Sequence, residues 1–219
     1  MSLEAVFSYI TSHIDKILEC TKQHISLSFT AVGLACLVGI PVGFLIVNHK
    51  RASAIVINVA NVIQTIPSLA LYAFAMPFFG IGTRPAIFAL FLYALLPIIK
   101  NTLIGIRNVD PAIIKAAKGM GMSSVQIMLQ VEIPLAIPTI MGGVRIAAVT
   151  GIGIATIATL IGAGGLGSII YQGLGMSNQP MVLSGAIFSA LLALIVDFIL
   201  GRVEYALTSK GIIISRAGK

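Results

Sequence analysis

Five long stretches of the chain are almost wholly apolar: residues 25–47, 54–79, 85–104, 138–161 and 181–200. Crossing a hydrocarbon core of roughly 30 Å takes about 20 helical residues, and every stretch has that length, so the pattern predicts five membrane-spanning helices. Ahead of them, Leu3, Val6, Phe7, Ile10, Ile14, Ile17 and Leu18 recur at helical spacing, with Glu4, Ser8, Asp15 and Glu19 mostly on the other side. Residues 1–24 are therefore expected to form an amphipathic segment lying in the membrane interface, or packed as an extension on the bundle.

The longest interruption, residues 105–136, has a pattern of its own. Asp110 before Pro111 is an N-cap followed by proline at the first helical position. A short helix over 111–118 would put Ile113, Ala116 and Ala117 on one side and Lys115 and Lys118 on another. Gly119 and Gly121 suit a sharp turn. Ser123 with Gln126 matches a capping box opening a second short helix, with Val125, Met128, Leu129 and Glu132 at helical spacing and Pro134 and Pro138 closing the segment. The two helices would make a compact knob, or else an ordinary interfacial loop.

Smaller breaks fall inside the spans. Gln64, Thr65, Pro67 and Ser68 interrupt the second near mid-depth. Polar side chains there face a cavity or bond to a neighbouring helix. Tyr72 and Tyr93 offer aromatic faces to a cation, or serve as packing or interfacial residues. Gly39 and Gly43 permit close helix approach. The run from Gly162 to Gly167 fits G-x-G-x-x-G, but an apolar span precedes it and no acidic residue follows before Asp197. It is therefore read as a glycine-rich break of the fourth span rather than a nucleotide loop. Within the spans, Arg145 and Asp197 either reach separately toward the membrane surface or pair and tie the last two helices together.

Composition agrees with the pattern. The 219 residues are 58% hydrophobic and 10% charged, with a mean hydropathy of +1.04, against roughly 25% charge in a soluble domain. One polytopic membrane domain over residues 25–200 is expected, followed by a tail over 201–219. The net charge of +7 is explained by loops on one side of the membrane rather than by nucleic acid. Lys50, Arg51, Lys100, Arg107, Lys115, Lys118, Arg202, Lys210, Arg216 and Lys219 fall on that side, against Lys16, Lys22 and Arg84 on the other. Ten against three predicts a cytoplasmic C-terminus, an outside N-terminus and a cytoplasmic 105–136 segment. The first 20 residues lack a basic start followed by an apolar run, so no cleavable signal is expected. Cys20 and Cys36 have no metal-ligand spacing, and His13, His24 and His49 are scattered at span ends. Neither a metal site nor a catalytic set is expected.

The 105–136 segment resembles the cytoplasmic loop of permease subunits of ABC importers. That loop reads E-A-A, three residues, G, nine residues, I-x-L-P. Here stand Lys115, Ala116, Ala117, then Gly121, then Val131-Glu132-Ile133-Pro134. Lys115 replaces the usual Glu, which has similar helix propensity. The stretches IQTIPSLALYAFAMPFFGIGTRPAIFALFLYALLPIIKNT and LIGAGGLG are similar to the branch serving glycine betaine, carnitine and choline uptake. The resemblance implies an all-α, type I importer (MetI-like) permease core of five transmembrane helices in the bacterial cytoplasmic membrane. It implies coupling to an ATPase through Lys115, Ala116, Ala117, Gly119, Gly121, Ser123 and Pro134, and a pathway lined by Gln64, Thr65, Pro67, Ser68, Tyr72 and Tyr93. It further implies two ATPase subunits, a second permease chain and an external substrate-binding protein as partners. No G-x-x-x-x-G-K-[ST] loop occurs, so ATP and Mg are expected on the partner ATPase, with no cofactor or binding-protein domain in this chain. Another small solute such as methionine is the alternative within the class. A stand-alone ion-coupled carrier or channel would need buried acidic residues, of which Asp197 is the sole candidate.

Overall fold

A computed structural model of the chain describes residues 3–208, and these residues are almost entirely helical. Helix α1 is Leu3–Ser12, α2 Ile14–Ile46, α3 Lys50–Thr65, α4 Ser68–Phe79 and α5 Thr83–Arg107. Two short helices follow, α6 Pro111–Gly119 and α7 Ser124–Ile127, then α8 Ile133–Ala155, α9 Gly167–Gly175 and α10 Gln179–Leu207. A π turn over Met128–Glu132 joins α7 to α8, and a 3-10 turn over Ile157–Ile161 follows α8. Four units are long and apolar enough to cross a membrane: α2, α5, the continuous run Ser124–Ala155, and α10. Helices α3 and α4 reach that standard only together, across a bend of 101°.

Helices α5 and α8 form the centre, with α2 and α10 packed around them. In lipid, helices are held by close packing and interhelical hydrogen bonds, so small residues gather at the contacts. A Cβ on Gly43 would lie 2.6 Å from Thr102 of α5, and one on Gly143 would lie 2.6 Å from the Pro97 carbonyl. The Gly39–Gly43 pair thus does set α2 against α5. Val32, Ala35, Ile98, Ala147, Ile152 and Val196 interlock in the space between the four long helices. Leu37, Phe78, Leu194 and Phe198 point outward and are exposed, as suits a surface that lipid solvates.

Several boundaries differ from those the pattern predicts. Helix α2 begins at Ile14 rather than near residue 25. Ile17, Cys20 and His24 are buried against the rest of the bundle, so that this stretch continues the first long helix; only α1 turns aside, to pack on α10. At about 1.5 Å per residue α2 is close to 50 Å long, more than one bilayer core. Pro134 and Pro138 do not close the loop segment. Pro134 sits in the first turn of α8, where a missing N–H is no loss, and Pro138 is carried inside that helix. Residues 156–161 leave α-helical geometry before the predicted end of the fourth span. Helix α10 continues through Leu207 into the stretch assigned to the tail; the remaining tail, with Lys210, Arg216 and Lys219, lies outside the described residues.

Candidate translocation wall and coupling loop

Among helices α3, α5 and α8 lies an open cavity of about 550 Å³ whose polar wall is formed by Gln64, Tyr93, Lys100, Asn101 and Thr150. Its construction follows from two prolines. Pro97 has no N–H to give to the carbonyl four residues back, so the Tyr93 carbonyl is left without its helical partner. Gln64 Nε2 donates to that oxygen at 2.9 Å. Pro67 forces Ile66 into an extended conformation (φ −71°, ψ 127°) that ends α3. The Tyr93 hydroxyl donates to the Ile66 carbonyl exposed there. Each element thus supplies one side chain to the other's freed carbonyl, and the α3–α4 break is braced against α5 by this reciprocal pair.

Of the residues proposed to line a pathway, Gln64 and Tyr93 stand on the wall of this cavity. The Thr65 hydroxyl donates to Val62 of its own helix at 2.7 Å. Pro67 and Ser68 form the start of α4 and are absent from the cavity wall. Tyr72 is the correction: it is 0% exposed, and its hydroxyl donates to the Ile154 carbonyl at 3.1 Å. A ring enclosed among Leu27, Leu71, Ala86 and Ala155 cannot offer its face to a solute. Lys100, Asn101 and Thr150 were missed as wall residues. The signal was available: Tyr93, Pro97, Lys100, Asn101 and Ile104 share one face of α5 at spacings of three and four.

At the end of the bundle that carries Lys50, Arg51 and Arg107, the connection between α5 and α8 forms the two-helix knob. Asp110 Oδ1 accepts from Ala112 N at 2.7 Å, capping α6. Ser123 Oγ accepts from Gln126 N at 3.3 Å, and Gln126 Oε1 accepts from Ser123 N at 2.8 Å, so the capping box is complete. Between the two helices Gly121 adopts a left-handed φ of 81°, whereas Gly119 is the last residue of α6. Lys115, Ala116, Lys118, Met120 and Val125 are exposed, a surface both basic and apolar. Ala117 and Ile127 are buried beneath it; Ala117 holds the knob together and offers no contact surface, and Pro134 belongs to α8. Arg107 anchors the base, donating to the Val47 carbonyl at 3.2 Å and to Ser53 Oγ at 2.8 Å.

The opposite end is built around His24, which is 0% exposed. Its Nδ1 accepts from Leu166 N at 3.2 Å and its Nε2 donates to the Ile152 carbonyl at 2.9 Å; a backbone N–H on one nitrogen and a carbonyl on the other fix the neutral Nε2–H tautomer. Gln23 Oε1 accepts from Gly165 N at 3.1 Å. These contacts hold a turn in which Gly162, Gly164 and Gly165 all have positive φ. The G-x-G-x-x-G run is therefore a structural turn clasped by α2. Arg145 and Asp197 pair across α8 and α10, with Nε to Oδ1 at 2.9 Å and Nη2 to Oδ2 at 3.0 Å. Glu204, absent from the pairwise reading, accepts from Arg145 Nη1 at 3.0 Å.

Residues 35–208 match the profile of the family described as the binding-protein-dependent transport system inner membrane component. The chain belongs to that family. This permease is accordingly the non-catalytic membrane component of an ABC importer. It is 46% identical over 216 residues to the carnitine transport permease protein OpuCB of Listeria monocytogenes, covering 99% of each chain. It is 42% identical over 209 residues to the osmoprotectant import permease protein OsmW of Salmonella typhimurium, covering 93% of this chain and 97% of that protein. The choline transport system permease protein OpuBB of Bacillus subtilis is 39% identical over 206 residues, with 94% of this chain and 95% of that protein covered. In fold the permease is similar to a subunit of the MetNI methionine ABC transporter in an inward-facing conformation. The TM-score is 0.79 at 23% identity, over 95% of this chain and 100% of the other. The likeness in architecture extends to an amino acid ABC transporter with histidines, at a TM-score of 0.71 and 20% identity, covering 94% of this chain and 100% of that one.

Proposed function

We propose that this permease forms the translocation pathway for quaternary-amine osmoprotectants: glycine betaine, carnitine and choline. The observation that carries the reading is likeness over nearly the whole chain, 46% to a carnitine permease over 99% of its length and 39% to a choline permease over 94%. The methionine transporter shares the fold at 23% identity, which carries no inference about solute. A quaternary ammonium cannot donate a hydrogen bond, and an aromatic ring such as Tyr93 on the cavity wall suits such a cation.

On this reading the basic end faces the cytoplasm and the N-terminus lies outside. Helices α3 and α4 together make one broken span, the fifth, and α1 lies in the outer interface. Two ATPase subunits, which hold ATP and Mg, dock on the α6–α7 knobs of a permease pair. Lys115, Ala116 and the Gly119–Gly121 turn form the contact, and Ser123 and Ala117 keep its shape. An external binding protein delivers solute at the α9 end. Because the knob is the direct connection between α5 and α8, movement imposed on it is carried into two walls of the cavity.

The test is purification of the permease with its ATPase and reconstitution in liposomes. ATP hydrolysis stimulated by an external binding protein loaded with glycine betaine, with accumulation of that solute, is the expected result. Uphill transport by the permease without an ATPase would sink the proposal.

A further inference from the structure

Among the described residues, the cavity between α3, α5 and α8 carries one fixed charge, Lys100, and no carboxylate lines it. Lys100 is exposed and forms no ion pair among the described residues, where the ion pairs are those of Arg145 with Asp197 and Glu204. It stands two turns along α5 from Tyr93, a rise of about 10 Å, and helical side chains tilt toward the N-terminal end of their helix, the direction of Tyr93. Asn101 and Gln64 share the wall; Asn101 Nδ2 donates one hydrogen to the Pro97 carbonyl at 2.8 Å, leaving its second N–H for a solute, and Gln64 Nε2 donates to the Tyr93 carbonyl. Lys100 lies about 10 Å before the Arg107 end of α5, so it stands on the cavity wall toward the basic end of the bundle.

Resting on the proposed function, we infer that Lys100 is a specificity-determining residue that makes the pathway favour quaternary amines bearing a carboxylate over a purely cationic one. The wall is bipolar along α5. The aromatic Tyr93 on that wall suits the trimethylammonium pole. The Lys100 ammonium and the Asn101 amide suit a carboxylate. Glycine betaine and carnitine present both poles and gain at both. Choline ends in a hydroxyl and brings its positive charge toward Lys100 with no compensating anion, so that the same residue that assists the zwitterions opposes it. Discrimination of this kind needs an unfavourable contact for the competitor as well as a favourable one for the solute, and a single lysine supplies both.

The experiment uses the whole transporter in liposomes with the membrane potential clamped at zero, so that choline's net charge gives it no electrical advantage. Uptake of labelled glycine betaine, carnitine and choline is measured at saturating, solute-loaded binding protein, and each variant is read as the ratio of zwitterion to choline uptake. Lys100→Gln is expected to lower that ratio about tenfold, and Lys100→Arg to keep it. Thr150→Asp, which adds an anion to the same wall while leaving Lys100 in place, is expected to shift the ratio the same way. Should Lys100→Gln not assemble, the Thr150→Asp ratio decides alone. An unchanged ratio in a transporting variant overturns the role of Lys100 and leaves the proposed function standing. Failure of the unaltered transporter to move any of the three solutes overturns the proposed function, and this inference with it.

Discussion

At the scale of single residues, the firmest expectations come from contacts with no room to yield. A Cβ on Gly167 would sit 1.9 Å from the Thr156 carbonyl oxygen, in backbone that cannot swing aside. Gly167→Ala should destabilise the protein by about 3 kcal/mol, read as a lower melting temperature in detergent. Gly175→Ala, where a Cβ meets nothing within 4 Å, should leave the melt unchanged. The Arg145 cluster makes a subtler prediction. Asp197→Asn leaves Arg145 with Glu204 alone and should cost about 2 kcal/mol, in the range for a charge-assisted bond. Exchanging the pair, with Arg145→Asp and Asp197→Arg together, should restore only part of that stability. The carboxylate moved onto α8 then faces Glu204. Adding Glu204→Lys should restore the remainder, and full recovery in the double variant would show that Glu204 contributes nothing. These outcomes mark what a sequence can reveal at this scale. The Asp110 cap and the Ser123–Gln126 box were legible because partner and cap lie two or three residues apart. The clasp of His24 on Leu166, which spans 142 positions, leaves no trace in local spacing.

At the scale of elements, the break between α3 and α4 shows how backbone chemistry makes a pathway wall. Polar residues at mid-depth predicted an interruption, but not a bend of 101°, because the direction of a broken helix is decided by what its freed carbonyls find. Here they find Tyr93, and Pro97 in turn leaves a carbonyl for Gln64. Tyr93→Phe should therefore lower stability by about 1 kcal/mol and raise hydrogen exchange at residues 63–68, while Tyr72→Phe, which frees the Ile154 carbonyl instead, should alter stability to a similar degree and leave exchange at 63–68 unchanged. The same logic explains why Pro134 and Pro138 misled the pattern. The π turn at Met128–Glu132 lets the chain pass from knob to span without stopping, and π turns have no sequence period. In the knob itself, Gly121→Ala meets open space on every side, so its whole effect is backbone. Holding alanine at a φ of 81° costs about 1 kcal/mol. That should weaken ATPase co-purification without altering membrane insertion, and unchanged co-purification would separate the turn's shape from docking.

At the scale of the whole molecule, the five apolar stretches, the basic side and the knob were all legible, since hydropathy and charge act over tens of residues and survive any local rearrangement. The far end was not: it depends on α2 reaching back to Ile14 and clasping the Gly162–Gly167 turn, a contact between distant segments. The result is a bundle with two unlike ends. One presents a basic, partly apolar knob set directly between the two central helices. The other presents a glycine turn and α9 held by buried side chains of α2. The proposed orientation rests on the asymmetry of Lys and Arg, ten against three across the sequence, because basic loops are retained on the inner side. The prediction is direct. With Cys20 and Cys36 replaced by Ala, Met120→Cys places one thiol on the knob and Met176→Cys places one after α9, at positions 76% and 72% exposed. A membrane-impermeant maleimide applied to intact cells should label the Met176→Cys protein and spare the Met120→Cys protein until the membrane is opened. The reverse pattern would put the knob outside, away from any ATP, and coupling through it would then be impossible whatever its resemblance to known loops.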